Sequence, residues 1–149
     1  MSQQLWDARF LDLAAEIATW SKDPSTGCGA VLVDPQRRII STGYNGLPRG
    51  IDDDPERLQD RDTKLRLTLH AEHNAILFAQ RDLTGCTLYV WPMPPCAHCA
   101  AQIAQVGIAR VVSTAPDDER TERWAEDWTL ARAVLSERGV DIADAGYTR

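Results

Sequence analysis

The chain has 149 residues, 44% hydrophobic and 26% charged, with 22 acidic against 16 basic side chains and a net charge of −6. That length suits one domain, residues 1–149, with a real core. The acidic balance argues against a dedicated binder of duplex nucleic acid, which carries a basic footprint, and no apolar run approaches the roughly 18 residues of a membrane span.

Taken in order, residues 4–21 read as an amphipathic helix, with Trp6, Phe10, Leu13, Ile17 and Trp20 at helical spacing. Lys22-Asp23-Pro24-Ser25-Thr26-Gly27 is a loop of turn formers. Gly29-Ala30-Val31-Leu32-Val33 and Ile39-Ile40-Ser41-Thr42-Gly43-Tyr44 read as two strands of a hairpin. A long loop runs from Asn45 to Arg66, partly helical after Glu56. A helix then follows His70 to about Gln80. Cys86-Thr87-Leu88-Tyr89-Val90-Trp91 is a third strand. A helix from the cysteine pair runs to about Val106, where Gly107 ends it, and Ala109 to Ser113 is a fourth strand. Residues 120–138 repeat Trp124, Trp128, Ala131 and Leu135 at helical spacing. Gly139 to Ile142 reads as a short last strand, reached by a right-handed crossover to a parallel neighbour. The order α-β-β-α-β-α-β-α-β implies a three-layer α/β/α fold around a five-stranded mixed sheet.

Two stretches carry chemistry: His70-Ala71-Glu72 and Pro94-Pro95-Cys96-Ala97-His98-Cys99. They read H-x-E and P-C-x-x-C. One imidazole (His70) and two thiolates (Cys96, Cys99) make three zinc ligands and leave the fourth tetrahedral position for water, the mark of a catalytic site. Glu72 is not needed as a ligand and is free to move protons. Residues two apart do not share a face inside a helix, so His70 and Glu72 converge only at a helix start. Cys96 and Cys99 lie one turn apart behind prolines that suit a helix N-terminus. Taken alone, C-x-x-C also fits a redox pair or half of a structural zinc site, and H-x-E an ordinary helix start. Their combination in this order points to catalytic zinc. His73 and His98 read as non-ligands. Cys28 and Cys86 read as buried free thiols. Met1 to Asp7 lacks a basic region followed by an apolar run, so no secretory signal is expected there. The cysteines then read as thiols of a cytoplasmic protein.

The whole chain resembles the zinc-dependent cytidine and deoxycytidylate deaminase family, and within it the dCMP branch. The resemblance rests on Ser21 to Thr26, Gly43 to Gly50, His70-Ala71-Glu72 and Pro95 to Cys99. It implies a cytidine-deaminase-like fold and hydrolytic deamination of dCMP to dUMP and ammonia by zinc-activated water. Glu72 would take the water proton and deliver protons to N3 and the departing amine. The Ala71 backbone N–H would meet O2 of the base, and Asn45 would hold base or sugar. Asn45 also fits an ordinary turn asparagine. Lys22, Ser25, Thr26 and Arg49 would face the 5′-phosphate, and as plain surface charges Lys22 and Arg49 would instead be solvated. The family also implies a homo-oligomer, with dCTP and dTTP as effectors at a subunit boundary. The chain departs from the common Phe-Pro-Cys-Asn-Glu-Cys at Pro94 to Cys99, and residues for a second zinc are not evident. Two other readings share these residues: a deaminase of tRNA or single-stranded nucleic acid, and a zinc-stabilised nucleotide-binding or regulatory domain without turnover.

Overall fold

The first strand, β1 (Gly29–Val33), is buried at all five positions. Successive side chains of a strand point to opposite faces, so such a run needs cover on both. Ala30 and Leu32 enter one core with Ala71, Ala75, Leu88, Val90 and Ala100, while Val31 and Val33 enter another with Phe10, Leu11, Ala14 and Ile17. The three-layer arrangement follows from that one strand. The structure is a computed structural model and describes residues 2–146.

The helix α1 (Gln3–Ala18) covers one face alone. Ser2 caps it by accepting the Leu5 N–H, satisfying one of the donors a helix start leaves open. The expected helix ran to residue 21, but Thr19 and Trp20 turn the chain away, and Trp20 lies exposed with its ring edge toward Tyr44. Helical spacing is a poor guide to the last turn, since Trp20 keeps the period without a core to meet.

β2 (Ile39–Tyr44) pairs antiparallel with β1, as does β3 (Thr87–Trp91) on its other side. β4 (Arg110–Thr114) and β5 (Asp141–Ala145) follow in parallel, giving the order β2-β1-β3-β4-β5. Two short helices, α2 (Pro55–Gln59) and α3 (Arg61–Leu67), occupy the expected loop between β2 and His70. α4 (Ala71–Ala79), α5 (Ala97–Gln105) and α6 (Asp118–Arg138) cover the second face. The last strand starts two residues later than its sequence suggested, because Asp141 is the residue that meets Arg110 in register.

Two glycines let helices lie close on the hairpin. A Cβ at Gly43 would stand 2.3 Å from the Ala71 carbonyl oxygen and 2.6 Å from the Ala75 nitrogen. One at Gly29 would stand 1.9 Å from the Ala14 carbonyl oxygen. Contacts that short admit only hydrogen at these positions. Gly43 thereby sets the height of the α4 N-terminus over the sheet.

Candidate active site

His70 and Cys96 are the N-caps of α4 and α5, with extended backbones at φ −71°, ψ 157° and φ −70°, ψ 170°. An N-cap residue leaves the helical path. Its side chain therefore does not obey helical spacing, and His70 and Glu72 can serve one centre from positions two apart. The two helix starts meet at the end of the sheet where β2 and β3 finish and β1 begins.

His70 Nδ1 lies 3.4 Å from Cys96 Sγ and 3.3 Å from Cys99 Sγ. Among the described residues, these three form the group able to hold a metal, their ligand atoms all within 4.8 Å of one another. Bond lengths of about 2.3 Å to sulfur and 2.0 Å to nitrogen put tetrahedral donors about 3.5–3.8 Å apart. The donor set therefore fits zinc in both chemistry and spacing. His73 and His98 are outside the group.

Local structure prepares the ligands. Cys96 Sγ accepts the Cys99 N–H at 3.4 Å. The Cys99 thiol donating to it, with His70 beside it, holds Cys96 down to about 4. Cys96 in turn raises His70 to about 9, and Cys99, next to that thiolate and buried, is pushed up. The start of α5 is held from another element: Asp127 Oδ2 on α6 accepts the Ala97 N–H at 2.9 Å. A carboxylate at that position favours the positive end of the helix dipole.

Glu72 is buried, only 5% exposed. Burial raises its pKa, with the His70 charge opposing. Ala71, the first residue of α4, carries one of the N–H groups that no helix carbonyl reaches.

The other expected residues lie on two loops stapled together beside the centre. Asn45 Oδ1 accepts the Cys28 N–H at 2.8 Å, and Asn45 Nδ2 donates to the Thr26 carbonyl at 2.9 Å. Gly46 and Leu69 exchange backbone hydrogen bonds, which brings Asn45 next to His70. Lys22 is exposed and pairs with Asp53 at 2.7 Å. Arg49 stacks over the Phe78 ring at 5.1 Å. Ser25 Oγ accepts from the Lys64 ammonium at 3.0 Å, and Lys64 also pairs with Asp23 at 3.2 Å. Sequence reading passed over Lys64 and Asp127. Lys64 sits in a run of alternating charges and Asp127 on a helix rich in acids, so nothing local marks either.

A three-layer α/β/α domain with one histidine, two cysteines and a buried carboxylate at two helix starts defines the class: a catalytic zinc domain built for hydrolysis. The model of the cytidine and deoxycytidylate deaminase zinc-binding region matches residues 4–115. A protein of Aliivibrio fischeri described as an uncharacterized deaminase in the luxG 3′ region is 42% identical over 137 residues, 92% of this chain and 91% of that one. The human deoxycytidylate deaminase is 40% identical over 141 residues, 91% of this chain and 76% of its own length. The crystal structure of dCMP deaminase from cyanophage S-TIM5, in complex with dCMP and dUMP, matches with a TM-score of 0.72 at 22% identity, over 97% of this chain and 98% of that one. At that identity the likeness is one of fold. The chain belongs to the cytidine and deoxycytidylate deaminase family.

Proposed function

We infer that the chain hydrolyses dCMP to dUMP and ammonia. The reading is carried by the buried Glu72 carboxylate beside the His70–Cys96–Cys99 donor set, in a chain 40% identical to a deoxycytidylate deaminase. His70, Cys96 and Cys99 would hold the zinc, which would supply a Lewis acid that brings the pKa of a water toward 7. Glu72 would take a proton from the water that adds to C4 of the cytosine and deliver it to N3. It would then carry the proton of the hydroxyl now on C4 to the amine, so that the C4–N bond breaks and ammonia leaves. The Ala71 N–H meets O2 of the base. Asn45 orients the base or sugar with the donor hydrogen left over from its two loop contacts. Ser25 and Thr26 face the phosphate, with Lys22 and Arg49 at the rim, where each exchanges its present partner for substrate.

The same reading includes self-association and a cytoplasmic setting. Exposed Leu65, Leu67, Leu77 and Phe78 on α3 and α4 support the first. Four free cysteines support a reducing compartment. dCTP and dTTP are its effectors, tested by adding each to a dCMP assay. The function itself is tested by ammonia release from dCMP, deoxycytidine, CMP, adenosine and single-stranded DNA by zinc-loaded protein. Turnover of dCMP ahead of the others is expected. Release from adenosine or DNA alone would overturn the substrate, and release from none would overturn the activity.

A further inference from the structure

The helix α5 carries nothing that complements its own dipole. Its first turn has no acidic residue and its last turn no basic one, although a helix favours anions at its N-terminus and cations at its C-terminus. Both are supplied from α6. Asp127 Oδ2 accepts the Ala97 N–H at the start of α5, at 2.9 Å, and Arg138 Nε donates to the Ala104 carbonyl near its end, at 3.1 Å. The two helices share a core, which Ala100 and Ile103 of α5 enter together with Ala131 and Leu135 of α6. Trp128, the residue after Asp127, is buried, so packing sets how α6 presents the carboxylate.

The two contacts differ in what they hold. Ala97 lies between the two cysteines of the donor set, directly after Cys96, the N-cap. Cys96 Sγ accepts the Cys99 N–H, and the Cys96 carbonyl accepts the Ala100 N–H. Those bonds close the cysteine turn on itself. The Ala97 N–H has no partner of that kind, because the first N–H groups of any helix lack a carbonyl four residues back. Its bond to Asp127 spans 30 residues and ties the cysteine turn to the rest of the fold. The Asp127 charge is felt at the His70 ring as well. Ala104, by contrast, lies at the end of α5 away from the donors.

We propose that Asp127 is the positioning residue of the metal centre, setting the first turn of α5 through the Ala97 N–H so that Cys96 and Cys99 meet His70. The role rests on the donor set given above and not on the identity of the substrate. A purely structural clamp would act alike at either end of α5, whereas a positioning residue acts on the donors from the cysteine end. Metal ligands depend on the partners that orient them, and loss of such a partner typically weakens metal binding about 10- to 100-fold.

The test measures zinc affinity, by competition with a chelator of known strength, in wild type, Asp127→Ala, Asp127→Asn and Arg138→Ala. Asp127→Ala is expected to bind zinc about 10- to 100-fold more weakly. Asp127→Asn keeps an acceptor oxygen but loses the charge that strengthens the bond, and is expected in between. Arg138→Ala cuts the tie at the other end of α5, and should lower the melting temperature while zinc affinity stays at the wild-type value. Cobalt(II) loaded in place of zinc gives a second readout, since its visible absorption reports the geometry of the sulfur and nitrogen donors. Those bands should shift in Asp127→Ala and not in Arg138→Ala. Wild-type zinc affinity in Asp127→Ala overturns the proposal, as does an equal loss in Arg138→Ala. If Asp127→Ala does not fold, Asp127→Asn decides: weaker zinc binding supports the role and unchanged binding overturns it. A wild-type chain that holds no zinc defeats the donor set and the role of Asp127 with it, whereas one that holds zinc yet releases no ammonia from dCMP defeats the deaminase reading alone.

Discussion

In the proposed reaction three donors and one carboxylate set the chemistry, and a donor and the carboxylate have distinct expected failures. Cys96→Ala removes a thiolate that is both ligand and helix cap. Zinc per chain, measured by atomic emission after dialysis, should drop to near zero, whereas His98→Ala, exposed and outside the donor group, should keep its metal. Glu72→Gln preserves shape and leaves the donor set intact. General acid–base residues contribute roughly 100- to 10,000-fold, and the proposed reaction gives Glu72 several proton transfers, so a loss near the upper figure is expected in a zinc-replete protein. Near-normal ammonia release would show that the proton moves by another route. Asn45 illustrates the limit of residue-level reading. Both its turn role and its place beside the centre were legible, but only the structure shows the amide committed to Cys28 and Thr26.

At the level of elements, the site depends on how closely helices approach the sheet. Gly43→Ala drives a methyl into the Ala71 carbonyl and the Ala75 nitrogen. Overpacking of this kind costs about 1–3 kcal/mol. Because Ala71 adjoins both His70 and Glu72, dCMP turnover should fall along with the melting temperature, and a variant with unaltered stability would refute the tight contact. On the opposite face, Asp7 of α1 joins strands β3 and β4. It accepts from both Arg110 Nη groups at 2.8 and 2.7 Å and from the Tyr89 hydroxyl at 2.7 Å. Burial alone would raise its pKa, but hydrogen bonds from Arg110, Tyr89 and Gln3 outweigh this and hold it below the usual carboxylate range. A carboxylate with a lowered folded pKa stabilises above its unfolded value and loses that contribution as pH falls through the folded one. Asp7→Asn should cost about 3 kcal/mol at neutral pH. Melting curves taken from pH 7 down past the usual carboxylate range should bring variant and wild type together. A gap independent of pH would mean that charge is not what holds this network.

For the molecule as a whole, ten large hydrophobic side chains are exposed among the described residues. Leu65, Leu67, Leu77 and Phe78 are each at least 40% exposed, all on the two helices that flank the motif H-x-E. Exposed apolar side chains offer surface for association, and closed symmetric assemblies are the usual outcome for soluble proteins. Multi-angle light scattering at micromolar concentration should return a mass above the 16.6 kDa of one chain. A Phe78→Glu variant should shift it downward, whereas a wild-type mass equal to one chain would rule self-association out at that concentration. Among the described residues no helix is long and apolar enough to cross a membrane.

The sequence by itself determined the strands of the hairpin, the helix starts at His70 and Cys96, and the donor set with its carboxylate. The reason is locality. An apolar run of five, a cap at a helix start and a spacing of one turn are set by neighbours in the chain. Helix ends were less legible, as at Trp20, because a helix stops where its contacts stop. Only the tertiary structure decided what reaches the site from afar. Lys64 at Ser25, Asp127 at the Ala97 N–H and Asp7 between two strands are contacts across 30 or more residues. They depend on β1 lying between β2 and β3 and on α6 crossing back beside α5. Sheet order and crossover bring those side chains together, and no local pattern of charge or hydropathy encodes the meeting.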